Sequence, residues 1–117
     1  MPTYAIARLI VTRPGPELVA YLSQIDATLD AFDGQYLVHG APIERLEGDW
    51  PPGDVIILAF PNRAAAHGWY ASPAYQAIKP LRTASTEGDV IFVEGVAAGH
   101  RGADLLAYLD PPPSVPR

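Results

Sequence analysis

A proline at position 73 divides the run Trp69-Tyr70-Ala71-Ser72-Pro73-Ala74-Tyr75-Gln76-Ala77-Ile78-Lys79-Pro80-Leu81-Arg82 in two. Proline has no backbone N–H and biases the residue before it away from helical geometry, so a helix that reaches Ser72 stops there. The same proline suits the first turn of a new helix. The run therefore reads as one helix ending at Ser72 and a short restart over Tyr75 to Leu81, with Arg82 at its end. Large aromatics on a helix pack onto a sheet beneath them, so the rest of the chain has to supply that sheet.

Four segments are suited to it. Tyr4 to Val11 is apolar and β-compatible with only Arg8 charged, and reads as a buried strand. Val55 to Phe60 is a short, continuous, β-branched apolar run, the pattern of a central strand. Gln35 to His39 is a further strand, continued by Ile43 to Leu46 after a kink at Gly40-Ala41-Pro42, and Val90 to Val96 is the last. Between the first two strands, Pro16 opens a helix on which Leu18, Leu22, Ile25, Leu29 and Phe32 recur on one face. Asp33-Gly34 ends that helix, with Gly34 placed for a left-handed cap. Gly48-Asp49-Trp50-Pro51-Pro52-Gly53 is a turn, and Asn62 is positioned to cap the helix through Ala64, Ala65, Ala66, Trp69 and Tyr70.

The order strand, helix, strand, strand, helix, strand is that of an α+β, ferredoxin-like split βαβ domain, a four-stranded antiparallel sheet with helices on one face. The other face is left open, and its apolar content predicts a homodimer in which a second subunit covers it. Residues 1–96 form this domain. Residues 97–117 form an extension: a linker at Ala97-Ala98-Gly99-His100-Arg101-Gly102, a short helix over Ala103 to Leu109, and a proline-rich end from Asp110. The extension is expected to contact the partner subunit.

Composition removes several function classes. The net charge is −5 and the eight Lys and Arg are scattered, whereas phosphate-backbone binding needs them clustered, so nucleic acid is not expected as a partner. With no cysteine there is no disulfide, thiolate metal site or thiol nucleophile, and no His pair has ligand spacing, so no metal is expected. No glycine-rich phosphate loop signals a nucleotide cofactor. No apolar run approaches the roughly 20 residues that span a bilayer, and a signal-peptide pattern is lacking, so the chain reads as cytoplasmic.

Several strings resemble the domain-of-unknown-function family 1330: Gly34-Gln35-Tyr36-Leu37-Val38-His39-Gly40, Glu47-Gly48-Asp49-Trp50, Phe60-Pro61-Asn62, Trp69-Tyr70-Ala71-Ser72-Pro73-Ala74-Tyr75-Gln76, Arg82 and Val93-Glu94-Gly95. The Trp-Tyr-x-Ser-Pro-x-Tyr string is the most specific of them. The resemblance implies a dimeric α/β barrel, two sheets facing one another, in a superfamily that includes cofactor-independent monooxygenases and small-molecule isomerases. It implies no particular activity. His39 stands where the family pattern suggests Arg, Ala59 where Glu often precedes Phe-Pro, and Ala65 and Ala66 replace a more polar helix start. An ion pair between the usual Arg and Glu would be missing from this chain.

Candidate site residues follow from chemistry. His39, near a strand end and on the side of Leu37 by strict alternation, is either a general base or a polar strand end bonded to backbone or water. Tyr75 either packs in the core or turns its hydroxyl into a cleft, and Trp69 either packs on the sheet or walls a pocket. Arg82 either binds a ligand carboxylate or caps helix-end carbonyls. Arg8 and Glu94, charges within the first and last strands, pair across the sheet or line a pocket for an acidic or phenolic ligand. Two function classes fit: a small-molecule-binding homodimer acting as a cofactor-independent enzyme, with His39, Tyr75, Arg82 and Trp69 at its site, and a non-catalytic structural or regulatory dimer module.

Overall fold

Strand β1 (Thr3–Val11) leads through the breaker at Pro14-Gly15 into helix α1 (Pro16–Asp30), then β2 (Gln35–His39) and β3 (Asp54–Phe60). Helices α2 (Arg63–Ala71) and α3 (Pro73–Ser85) follow, and β4 (Thr86–Glu94) completes the sheet. These elements belong to a computed structural model that describes residues 1–109. The strands lie in the order β2-β3-β1-β4 and every neighbouring pair is antiparallel, which with this chain order is the ferredoxin-like fold.

Register assigns each strand residue to a face. Ala5 lies between Leu58 and Phe92, and Ala7 between Ile56 and Val90, all turned toward the helices. Ile6 lies between Ile57 and Ile91, and Tyr4 between Ala59 and Val93, on the opposite face. The helical side holds the core of Ala5, Leu58, Phe60, Tyr21, Ile25 and Leu29, joined by Trp69, Tyr75 and Ile78 from the last two helices. The opposite side keeps Ile91 55% exposed and Val93 44% exposed, a stripe of apolar surface on the sheet. Truncating a core residue such as Leu29 to Ala is expected to cost about 2–5 kcal/mol, through lost transfer energy and the cavity left behind.

Local signals shape the helix ends. Asn62 accepts a hydrogen bond from the Ala65 N–H at 2.8 Å, capping α2. The Ser72 hydroxyl donates to the Trp69 carbonyl at 2.7 Å and accepts from the Tyr75 N–H at 3.2 Å, so it closes α2 and caps α3 at once. The restart after Pro73 is longer than the sequence suggests and runs through Pro80 to Ser85. Pro80 forgoes one intrahelical bond, but Tyr75, Ile78 and Ser85 remain buried on one side of the helix, and that packing outweighs the loss.

Three further expectations need correction. The left-handed residue after α1 is Asp33 (φ 55°), not Gly34. The Gly34 N–H bonds the Leu29 carbonyl at 3.1 Å in a Schellman-type closure, and glycine is required there for closeness: a Cβ would lie 2.7 Å from Leu29 Cδ2. Ile43 to Leu46 does not extend β2; Gly40 (φ 73°) turns the chain away, and both Ile43 and Leu46 are exposed in the loop over residues 40–53. β4 begins at Thr86, before the expected Val90, because Gly88 (φ 150°) allows the strand to continue alongside β1. A Cβ on Gly88 would sit 1.8 Å from the Arg8 carbonyl oxygen.

Beyond Glu94 the chain forms one 3₁₀ turn over Gly102–Leu105 and a single α-helical turn, α4 (Leu106–Leu109), neither with a buried residue. The proline-rich end expected from Asp110 lies outside the described residues.

Candidate functional site

A cavity of about 300 Å³ lies between the helices and the sheet, toward the C-terminal end of β1. Small side chains on the central strand leave this room: Ala5 and Ala7 form its floor where larger residues would fill it. Its walls are apolar, built by Leu9, Leu18, Ile25, Ile56 and Leu58. The rim is formed by lining residues that are themselves exposed, among them His39, Gly40, Asp54 and Leu22.

Polar groups reach the cavity at two places. On the helical side, the Tyr21 and Tyr75 hydroxyls are 2.9 Å apart, with the two residues 6% and 2% exposed. Arg82 Nε donates to the Tyr75 oxygen at 3.4 Å. Burial and then the neighbouring Tyr75 push the Tyr21 phenol well above its ordinary pKa, so Tyr21 is a neutral hydrogen-bonding group at physiological pH. Burial acts to lower the Arg82 pKa, but the hydrogen bond to Tyr75 and the fields of Tyr75 and Tyr21 outweigh it, and the guanidinium stays charged. Arg82 does not cap its helix. The Ser85 hydroxyl donates to the Leu81 carbonyl, and the Thr86 hydroxyl donates to the Arg82 carbonyl at 2.9 Å. Those hydroxyls satisfy the end of α3 and leave the guanidinium to the cavity.

At the rim, His39 stacks on Tyr36 with ring centroids 4.2 Å apart and planes 17° from parallel. Strict alternation would put these residues on opposite faces. A bulge between Tyr36 and Val38 shifts the register, so Tyr36 stands opposite Leu58 and His39 opposite Ile56, both on the cavity side. His39 therefore shares its side with Tyr36 rather than Leu37. Burial, followed by the fields of Asp26 and Tyr75, pushes the Tyr36 phenol up to about 12. The Gly40 N–H bonds the Val55 carbonyl at 2.9 Å and holds the strand end beside Asp54, which also lines the rim.

Trp69 forms part of the inner wall through its ring. Its indole N–H is committed to Thr28 Oγ1 at 3.0 Å, so it supplies surface and no donor. The ring centroid lies 4.1 Å from that of Tyr75 and 5.3 Å from that of Phe60, both pairs tilted, an aromatic cluster that fixes the position of Tyr75.

Of the residues singled out in the sequence, His39, Tyr75, Arg82 and Trp69 line this one cavity. Arg8 and Glu94 do not, and they do not pair. Arg8 stands opposite Asp89 on the open face of the sheet, where it donates to that carboxylate at 2.8 Å and to the Pro52 carbonyl at 2.6 Å. Glu94 stands opposite Thr3, at the other end of the sheet and on its other face. Adjacency of two strands was legible, but the register that selects the partner was not. Positions 39 and 59 likewise lie on opposite faces, so an ion pair between them would not have shaped this cavity. Tyr21, Tyr36 and Asp54 complete the site and were missed. The available signal for Tyr21 was its place between Leu18 and Ile25 on the apolar stripe of α1, where a phenol needs a buried partner.

Among the described residues no group of three or more His, Asp or Glu is placed to hold a metal, and no helix is long and apolar enough to cross a membrane. Fold and site together define a small α+β domain of the ferredoxin-like kind with an internal, largely apolar cavity. The chain belongs to the family described as Domain of unknown function (DUF1330), whose family model matches residues 2–96. No curated protein matches it significantly. Among solved structures it is similar to the RPA0582 protein of unknown function from Rhodopseudomonas palustris, with a TM-score of 0.66 and 18% identity over 82% of this chain and 83% of that one. It is also similar to SnoaB, a cofactor-independent oxygenase from Streptomyces nogalater, with a TM-score of 0.55 and 11% identity over 86% and 98% of the two chains. A dimeric ferredoxin-like protein of unknown function from Jannaschia sp. CCS1 aligns with a TM-score of 0.51 and 16% identity over 81% and 100%. At these identities the likeness establishes a shared fold.

Proposed function

We propose that this protein is a homodimer that binds a small molecule in the cavity of each subunit and acts on it without a cofactor. The cavity carries the proposal: about 300 Å³ of apolar space kept open above Ala5 and Ala7, with polar groups converging on it. A purely structural dimer module would gain stability by filling that space. His39, placed at the rim and stacked on Tyr36, is the proton acceptor; Tyr75 and Arg82 hold a polar group of the ligand; Trp69 walls the pocket. The likeness to a cofactor-independent oxygenase supports the reading through the fold alone. The apolar stripe around Ile6, Ile57 and Ile91 and the dimeric relative support a pair of subunits closing sheet to sheet. Residues 1–96 are the binding unit, and the described part of the extension, residues 97–109, contacts the partner.

Native mass spectrometry of freshly purified protein tests the proposal. The expected result is a dimer carrying a small-molecule mass, which His39→Ala loses while remaining a folded dimer. A monomer would overturn the assembly. Unfolding of His39→Ala would show that His39 is structural and remove it from the site.

A further inference from the structure

The helical-side cluster of the cavity is a hydrogen-bond donor site with no acid to answer it. Arg82 is half-buried beside an apolar cavity, yet the ion pairs among the described residues are Arg8–Asp89 and His100–Asp104, neither of which involves it. The carbonyls at its helix end are taken by the Ser85 and Thr86 hydroxyls. Within the cavity its Nε donates to the Tyr75 oxygen and the Tyr21 phenol is also a hydrogen-bonding neighbour, two neutral oxygens for a guanidinium that carries five donors. Counting protons extends the point. Tyr21 and Tyr75 bring two O–H groups, and the single O···O contact of 2.9 Å between them uses one. Whichever phenol donates in that contact, the other O–H is left directed elsewhere. The cluster thus presents a phenolic hydrogen and guanidinium hydrogens into a space walled by Leu58, Ile25 and Trp69. A positive charge in such surroundings is costly unless an anion accompanies it.

We infer that the ligand of this cavity is a monoanion, an apolar body bearing one carboxylate or enolate oxygen that seats between Arg82 and the Tyr21–Tyr75 pair. The inference rests on the proposed binding role of the cavity and specifies its ligand class. The apolar walls take the body. The anionic oxygen accepts from Arg82 and from the spare phenolic O–H. The rim disfavours a second negative charge, because Asp54 stands there beside His39. A dianion would meet that carboxylate, whereas a monoanion leaves its apolar end toward His39 at the rim.

Three isosteric probes test this by calorimetric titration of the intact protein: 2-naphthoate, 2-naphthalenemethanol and 2-naphthylmethylammonium. The expected order is naphthoate first, the alcohol weaker by about 10-fold to 100-fold, as for loss of charge-assisted hydrogen bonds, and the ammonium undetectable. Arg82→Gln should weaken naphthoate far more than the alcohol, so that the preference between them collapses to within about threefold, and Arg82→Lys should keep part of the preference. Thermal melts show that each variant is folded, and should Arg82→Gln fail to fold, Arg82→Lys and Tyr21→Phe carry the comparison. If the alcohol or the ammonium binds as well as naphthoate, the inference is overturned and the cavity remains a binding site of other preference. If none of the three binds up to millimolar concentration, the binding role of the cavity falls, and the inference with it.

Discussion

The Tyr21–Tyr75 contact links two helices whose residues are 54 positions apart, and its energy can be isolated. Tyr75→Phe removes the hydroxyl that meets Tyr21 at 2.9 Å and accepts from Arg82 at 3.4 Å, without changing the ring that packs against Trp69. A neutral hydrogen bond contributes about 1 kcal/mol net, and a buried group left unpaired costs about 1–3 kcal/mol. Both losses apply to the Tyr75 hydroxyl, so Tyr75→Phe should destabilise by about 1–3 kcal/mol. Tyr21→Phe should cost about 1 kcal/mol by the same reasoning. The double variant no longer leaves a partner stranded, so it should cost about 1 kcal/mol less than the sum of the two singles. Urea denaturation of the four proteins at one fixed protein concentration measures this, since association would make stability depend on concentration. A coupling energy below about 0.3 kcal/mol would mean that the contact does not stabilise the fold, and the reasoning that places these hydroxyls at the site would fail.

Gly88→Ala should be far more damaging than an exposed position suggests, by about 3 kcal/mol or more, since its Cβ would enter the Arg8 carbonyl and unpair β4 from β1; a melt within about 1 kcal/mol of wild type would refute the register. Tyr36 should titrate near 12 in an ultraviolet phenolate titration. With a folded pKa raised above the unfolded value of 10.0, its contribution to stability is fully present below pH 10 and is lost as pH rises toward 12, and a midpoint at the unfolded value would contradict the burial described. If the chain pairs sheet to sheet as proposed, Ile91→Asp should give a monomer in sedimentation velocity while leaving the helical-side core intact, and an unchanged dimer would move the interface away from the open sheet face.

Much of this protein is decided within a few residues. Pro73 ends one helix and starts another, Asn62 and Ser72 supply caps, and the short β-branched apolar run Val55 to Phe60 reads as a central strand. Caps, breakers and periodicity act over a turn or two, so the order of elements and the fold class are legible without coordinates. What needed the tertiary structure was everything set by register and by distance along the chain. The bulge at Leu37 turns His39 toward Tyr36 and the cavity; the β1–β4 register gives Arg8 to Asp89 and leaves Glu94 elsewhere. Tyr21 becomes a site residue only because α1 packs beside α3. A shift of one residue in a strand reverses every face, and no local preference encodes which shift is adopted; the packed sheet and helices select it together.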